Sequence, residues 1–154
     1  MILVDVNMLI AVGSREHLEK AEAERFFADL TGPFATCPIV QTGFVRVLAQ
    51  VDPTRALSDG VAVLASICSD PRHRFLPDDV NVVDLPWAAI RGHRQITDAY
   101  LAALARKHGA KLATFDQALA SVHSDVALLL GARGTNIAPV KSTRSNYKAA
   151  HPSD

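Results

Sequence analysis

Three aspartates carry the chemistry this chain can be expected to do: Asp5, Asp98 and Asp116. Asp5 follows directly on the apolar run Ile2-Leu3-Val4. Asp98 stands at the start, and Asp116 at the end, of the stretch TDAYLAALARKHGAKLATFD, residues 97–116. Carboxylates brought together repel one another unless a cation sits among them. Oxygen donors without a thiolate or imidazole partner suit Mg²⁺ or Mn²⁺. Such an ion activates water and stabilises charge growing on a phosphoryl oxygen, so the expected reaction is phosphodiester hydrolysis. Each acid taken singly also has an ordinary reading, Asp98 as a first-turn charge on a helix dipole and Asp116 as a turn residue. The set of three is what points to a metal.

The elements that must position these acids are legible around them. Residues 97–116 read as a helix, a tight stop and a short strand. Ile96, Ala99, Tyr100, Ala103 and Leu104 recur at helical spacing, and Leu101, Ala102 and Ala105 fill other faces, so the helix is expected to be buried on most sides. Thr97 is expected to cap it and Asp98 to lie in its first turn. Gly109 is a natural stop after Arg106, Lys107 and His108, and Lys111–Phe115 then reads as a strand. A helix, tight loop and strand in that order suggest an α/β unit with a parallel sheet. In such a sheet the carboxyl ends of the strands share one edge with the amino ends of the helices, and ligands bind there. Asp5, Asp98 and Asp116 are all expected on that rim, within reach of one ion. Gln41, in the first turn or so of the helix after the second strand, is expected there too.

The remaining chain supplies the layers. Met8–Val12 reads as a short helix or turn, and Glu16–Leu30 as an amphipathic helix with Leu18, Ala21, Phe26 and Leu30 inward. Phe34–Thr36 reads as the second strand. Pro38 suits the first turn of a helix whose apolar side is Ile39, Gly43, Phe44, Val47 and Leu48. A further helix is expected over Thr54–Cys68, with Ala56, Val61, Leu64, Ala65 and Cys68 inward. Residues 69–79 read as a loop, Val80–Asp84 as a third strand, Ala118–Val122 as one or two helical turns, and Val126–Leu130 as a final edge strand. From Lys141 the chain is a polar, weakly basic tail, which leaves 1–140 as one domain.

Composition sets bounds. The chain of 154 residues is 49% hydrophobic and 21% charged, an ordinary globular balance. Basic and acidic residues number 16 each; 3 basic and 1 acidic fall from Lys141 onward, leaving 13 and 15 in the body. Net charge therefore argues neither for nor against a nucleic-acid partner. Cys37 and Cys68 lack metal or redox spacing and read as reduced thiols. The six histidines show no zinc-binding arrangement. The apolar opening MILVDVNMLIAV is interrupted by Asp5 and Asn7 and is too short to span a bilayer, so a cytoplasmic, membrane-free protein is expected.

With these residues in place, the chain resembles the PIN-domain ribonucleases, and among them the VapC toxins of bacterial toxin–antitoxin pairs. The resemblance covers roughly residues 1–140 and rests on MILVDVNMLIAV, CPIVQTGFVRVL and GHRQITDAYLAALARKHGAKLATFDQAL, in that order. It implies a three-layer α/β/α domain with a short, mostly parallel sheet of four to five strands. It implies an acidic cluster of Asp5, Asp98 and Asp116 that binds Mg²⁺ or Mn²⁺ and cleaves RNA. It matches Asn7 and Thr114 to polar positions that help hold metal, water or substrate. The family's second acid falls at Gln41, which carries no charge and cannot act as a base. Either three carboxylates suffice for the endoribonuclease, or the chain is a catalytically weakened module that binds RNA or a partner protein. The resemblance also implies a VapB-type antitoxin and a homodimer, with exposed apolar surface on residues 16–30 and 38–49 as the expected docking region. Arg46, Arg91, His93 and Arg94 are candidates for contacts to RNA phosphates.

Three other readings compete. A response-regulator receiver also shows early acids but has no place for the long apolar helix bounded by Asp98 and Asp116. A haloacid-dehalogenase-type phosphatase also opens with an apolar strand and an Asp but wants a second Asp where Asn7 stands. A non-catalytic docking module would keep the fold without the reaction.

Overall fold

A computed structural model describes residues 1–51, 53–54 and 57–131. The expected tail, 141–154, lies outside these residues. Five short strands form one wholly parallel sheet in the order β3-β2-β1-β4-β5: β1 Ile2–Val4, β2 Phe34–Thr36, β3 His73–Phe75, β4 Lys111–Thr114 and β5 Ala127–Leu129. Its centre is apolar because β1 and β4 are covered on both faces; Leu3, Val4, Leu112 and Ala113 are buried. The chain runs from β1 outward to β2 and β3, then returns to β4 and β5 on the other side of β1. Right-handed crossovers therefore put the helices before β3 over one face and those after it over the other, giving three layers. The reversal lies between β1 and β4, the switch point at which ligands bind in such sheets.

The helices are α1 Val6–Gly13, α2 Lys20–Asp29, α3 Pro38–Val51, α4 Leu57–Cys68, α5 Arg94–Lys107 and α6 Gln117–Val122. Helix α1 begins two residues earlier than the sequence pattern suggests, because the Asp5 carboxylate accepts the Met8 N–H at 2.8 Å and caps it. Helices α1 and α3 pack closely: a Cβ added at Gly43 would lie 2.7 Å from the Val6 side chain. Helix α5 ends as expected. Gly109 adopts a left-handed φ of 59°, and the Ala110 and Gly109 N–H groups bond back to the carbonyls of Ala105 and Arg106, closing a Schellman cap.

Several expectations need correction. The third strand is His73–Phe75, not Val80–Asp84. Asp70 and Arg72 form the turn that delivers it, and Arg72 is anchored on the carbonyls of Phe27 and Leu30. Residues 80–84 cannot extend, since the Asn81 side chain takes the Val83 N–H and starts a short 3₁₀ turn. Helix α2 starts at Lys20 rather than Glu16, the preceding residues being spent in turns: His17 Nδ1 accepts the Glu19 N–H and the Ser14 carbonyl accepts from Lys20 Nζ. Leu18 is consequently 78% exposed, Ala21 also faces out, and Ala23, Phe26 and Phe27 turn inward. On α4, Val61 and Ala65 are exposed and Gly60 is the buried residue; Ala56 lies outside the described residues. Between residues 38 and 49, α3 exposes no large hydrophobic side chain, whereas Val51, Leu57 and Val61 are exposed just beyond it.

Helix α5 starts at Arg94, so Thr97 is not its cap and Asp98 is its fifth residue, one turn in from the end. The early start has a local cause. The Gln95 side-chain carbonyl accepts the Arg91 N–H at 2.7 Å, and the Gln95 N–H bonds to the Gly92 carbonyl at 3.0 Å. Ile96, expected inward, is 36% exposed at this end.

Candidate active site

The carboxyl edge of the sheet collects the acids. Asp5 follows β1 and is almost wholly buried. Its two oxygens are held separately, Oδ1 by the Met8 N–H at 2.8 Å and Oδ2 by the Thr114 hydroxyl at 2.5 Å. Thr114, fully buried at the end of β4, accepts in turn the Asp116 N–H at 2.9 Å. One hydrogen-bonded chain thus joins the ends of the two strands that flank the switch point. Asp116 Oδ1 caps α6 by accepting from the Ala118 and Leu119 N–H groups. Asp98 reaches the same edge from α5, half-buried.

The electrostatics follow from burial without compensation. Desolvation pushes the Asp5 carboxyl up to about 6, against the lowering effect of its two hydrogen bonds, and the charges of Asp98 and Asp116 add to the rise. Asp98 is also pushed up to about 6, by desolvation first and then by Asp116. No Lys, Arg or His among the described residues forms an ion pair with any of the three.

The donor chemistry fits a hard divalent ion, being oxygen only. Each of the two Asp5 oxygens accepts one hydrogen bond and keeps a second lone pair. Among the described residues, however, no three His, Cys, Asp or Glu side chains stand close enough to enclose an ion as they are placed. The acids share an edge and feel each other's charge; closing on an ion requires side-chain rotation.

Asn7 is the second residue of α1 and is exposed beside Asp5 in sequence. Gln41 lies in the first turn of α3, but its amide nitrogen is engaged elsewhere. It donates to Thr36 Oγ1 at 2.9 Å and to Cys68 Sγ at 3.6 Å, and Thr36 Oγ1 lies 2.8 Å from His73 Nε2. His93 and Arg94 are exposed at the start of α5, about one turn from Asp98, and Arg91 is exposed just before the helix. Arg46 is exposed further along α3, about 7 Å beyond Gln41 at the helical rise.

Residues 2–124 match the PIN domain family model. This chain belongs to the PIN-domain family. Ribonuclease VapC29 of Mycobacterium tuberculosis is 45% identical over 130 residues, covering 84% of this chain and 96% of that one. Ribonuclease VapC38 of the same organism is 42% identical over 120 residues, covering 75% and 85%. Among solved structures, Mycobacterium tuberculosis VapC20, a sarcin–ricin loop cleaving toxin, matches with a TM-score of 0.61 at 19% identity, covering 79% of this chain and 94% of that one. VapBC2 from Rickettsia felis, bound to a DNA fragment from its promoter, matches with a TM-score of 0.63 at 14% identity, covering 84% and 99%. At such identities these two structures report the fold.

Two features of this PIN domain escape sequence reasoning. Thr36, which accepts from the Gln41 amide, and His73, which bonds to Thr36, are 37 residues apart and carry no motif. A pocket of about 40 Å³ beside Asp98 is walled by the 86–90 segment, α5 and α6, and only the fold brings these together.

Proposed function

We propose that this chain is an endoribonuclease toxin of the VapC kind, dependent on Mg²⁺ or Mn²⁺, working as a homodimer and restrained by a VapB-type antitoxin. The observation that carries the reading is the pair Asp5 and Asp98, two acids raised to about 6 at the switch point with no cation partner among the described residues. Such an arrangement lowers stability and persists where function needs it. The relatives that cover most of this chain bear the name ribonuclease, which supports RNA as the substrate. The VapBC2 fold match supports an antitoxin partner.

A bound Mg²⁺ or Mn²⁺ would offset the repulsion between the acids, activate a water and neutralise charge on the scissile phosphate. Asp5, Asp98 and Asp116 would hold it. The chain's own residues do the positioning. Met8 and Thr114 fix both oxygens of Asp5, so its charge does not swing. Thr114 ties that carboxylate to the backbone of Asp116, so β1 and β4 set their separation together. Asp98 is ionised above about pH 6 and then supplies a second negative oxygen. Asn7 can orient water or substrate, and Arg91, His93 and Arg94 hold the RNA backbone, with Arg46 further out. The antitoxin has exposed apolar surface to cover at Leu18, Val51 and Leu57.

The second reading, a weakened binding module, is favoured by Gln41. Its amide is bonded to Thr36 and Cys68, and a glutamate there would have no proton to give them. One experiment separates the two: cleavage of RNA by the purified chain with and without Mn²⁺, alongside Asp98→Asn and Gln41→Glu. The nuclease reading expects metal-dependent cutting that Asp98→Asn abolishes, and a Gln41→Glu rate within about threefold of the parent because the residue is packed as an amide. Cutting by Asp98→Asn at the parental rate removes the catalytic assignment. RNA binding with no cutting by the parent supports the module.

A further inference from the structure

The pocket shares Asp98 with the acidic edge and is also lined by His123, but the rest of its lining is mostly apolar. Ile90 and Ala89 wall one side, Ala99 the floor, and Leu119 and Val122 the other side. Gln95 stands in it with its side-chain carbonyl bonded to the Arg91 N–H at 2.7 Å. Its amide NH₂ has no partner among the described residues. Arg91 and Arg94, both exposed, flank Ile90 and Gln95 in the chain. Trp87, 44% exposed with its ring nitrogen donating to the Val82 carbonyl at 3.1 Å, sits on the same wall segment.

We propose that this pocket is a nucleobase subsite, taking the edge of an unpaired RNA base next to the scissile phosphate. The proposal rests on the ribonuclease reading given above. A base offers two apolar faces and a hydrogen-bonding rim, while its backbone is anionic. Apolar walls, one free amide donor and the exposed arginines next in the chain to Ile90 and Gln95 match those three features in turn. An apolar protein segment would leave Gln95 and both arginines without partners. About 40 Å³ admits an edge rather than a whole ring, so the rest of the base lies against the exposed 87–90 surface. The subsite discriminates between bases through the amide donor: a rim acceptor is satisfied by it and a rim donor is not.

The test fills the pocket without replacing an acid. Ala118→Leu puts a larger side chain into it from α6, where leucine is a good helix former. Wild type and variant are given a single-stranded RNA pool randomised around a central site, with Mn²⁺, and the cut positions are sequenced. The wild type is expected to prefer particular bases at one position flanking the cut. In Ala118→Leu that preference flattens and kcat/KM falls about tenfold, the loss that one base contact carries. In parallel, NMR shifts of the Gln95 side-chain amide are followed on adding a short single-stranded DNA oligonucleotide of mixed sequence. Cutting by both proteins with one and the same base preference overturns the subsite and leaves the nuclease reading standing. No cutting by the wild type removes the nuclease reading, and the Gln95 shifts then decide the subsite alone, present for it and absent against it. Gln95 shifts that depend on protein concentration without nucleic acid assign the pocket to a second copy of the chain, and also overturn the proposal.

Discussion

The two edges of the sheet treat the same residue type in opposite ways. At the amino edge, Asp70 lies against Arg72 at 2.7 Å and Asp125 against Arg106 at 2.7 Å, and each arginine holds its carboxyl down at about 2. Asp79 meets Lys107 and His108 at the far end of α5 and is lowered as well, chiefly by the His108 hydrogen bond. At the carboxyl edge, Asp5 and Asp98 have no such partner and sit at about 6. Under the proposed function, a chain that supplies cations to its acids at one edge and withholds them at the other leaves the second edge to a cation from outside. Stability is built at the amino edge and given up at the carboxyl edge.

The most severe way to break this contrast is Asp5→Asn. Metal-dependent RNA cleavage is expected to fall by about 10³-fold or more, since a charge at the switch point is lost. The same variant is expected to be more stable near pH 8, by up to about 3 kcal/mol, from removal of a buried carboxylate whose pKa lies roughly two units high. Urea unfolding and a cleavage assay on one preparation check both; a variant that is inactive and also less stable would mean that Asp5 is held for packing. Asp98→Asn should follow the same pattern at smaller scale, about 10²-fold in kcat/KM, with a smaller gain in stability because Asp98 is half-exposed.

The pH dependence sharpens the comparison further. Asp5 and Asp98 have folded pKa values raised from 3.8 to about 6. Their stabilising contribution is therefore complete below about pH 4 and is lost as pH rises through 6. Asp70 and Asp125, lowered to about 2, contribute above about pH 4 and lose that contribution as pH falls through 2. Unfolding free energies from pH 2 to 8 should thus show a fall between 4 and 7 that Asp5→Asn makes shallower, and Mg²⁺ should reduce the fall in the wild type by binding the ionised acids. The smallest expected effect is that of Arg106→Ala at the amino edge. It should leave RNA cleavage within about twofold and remove part of the acid-side gain in stability, read from the same pH series.

The legible part of this chain was local. Ile2–Val4, Phe34–Thr36 and Lys111–Thr114 announce themselves as buried strands, and the stop at Gly109 needs only a left-handed residue after a helix. The candidate acids were legible too, because an Asp placed directly after a buried apolar run is visible without coordinates. His73–Phe75 was not legible. It is short and polar, and is a strand because Phe34–Thr36 has an open edge to pair with. Val80–Asp84 has the better strand composition, and a side chain at Asn81 outbids the ladder. Leu18 follows the helical period yet is exposed, since the turns before Lys20 set the helix in a different phase.

What the sequence by itself determined is the order of elements, the parallel class of the sheet and the identity of the acids that end its strands and start its helices. Those depend on periodicity and on capping chemistry, which act over a few residues. Only the tertiary structure decided which segment completes the sheet, that the Gln41 amide is bound by Thr36 and Cys68, and that Asp5 holds its proton more tightly than Asp70 does. Each of these turns on what lies within a few ångströms across a long stretch of chain. Burial and partner charge, which set the carboxyl pKa values, come into being when the layers close.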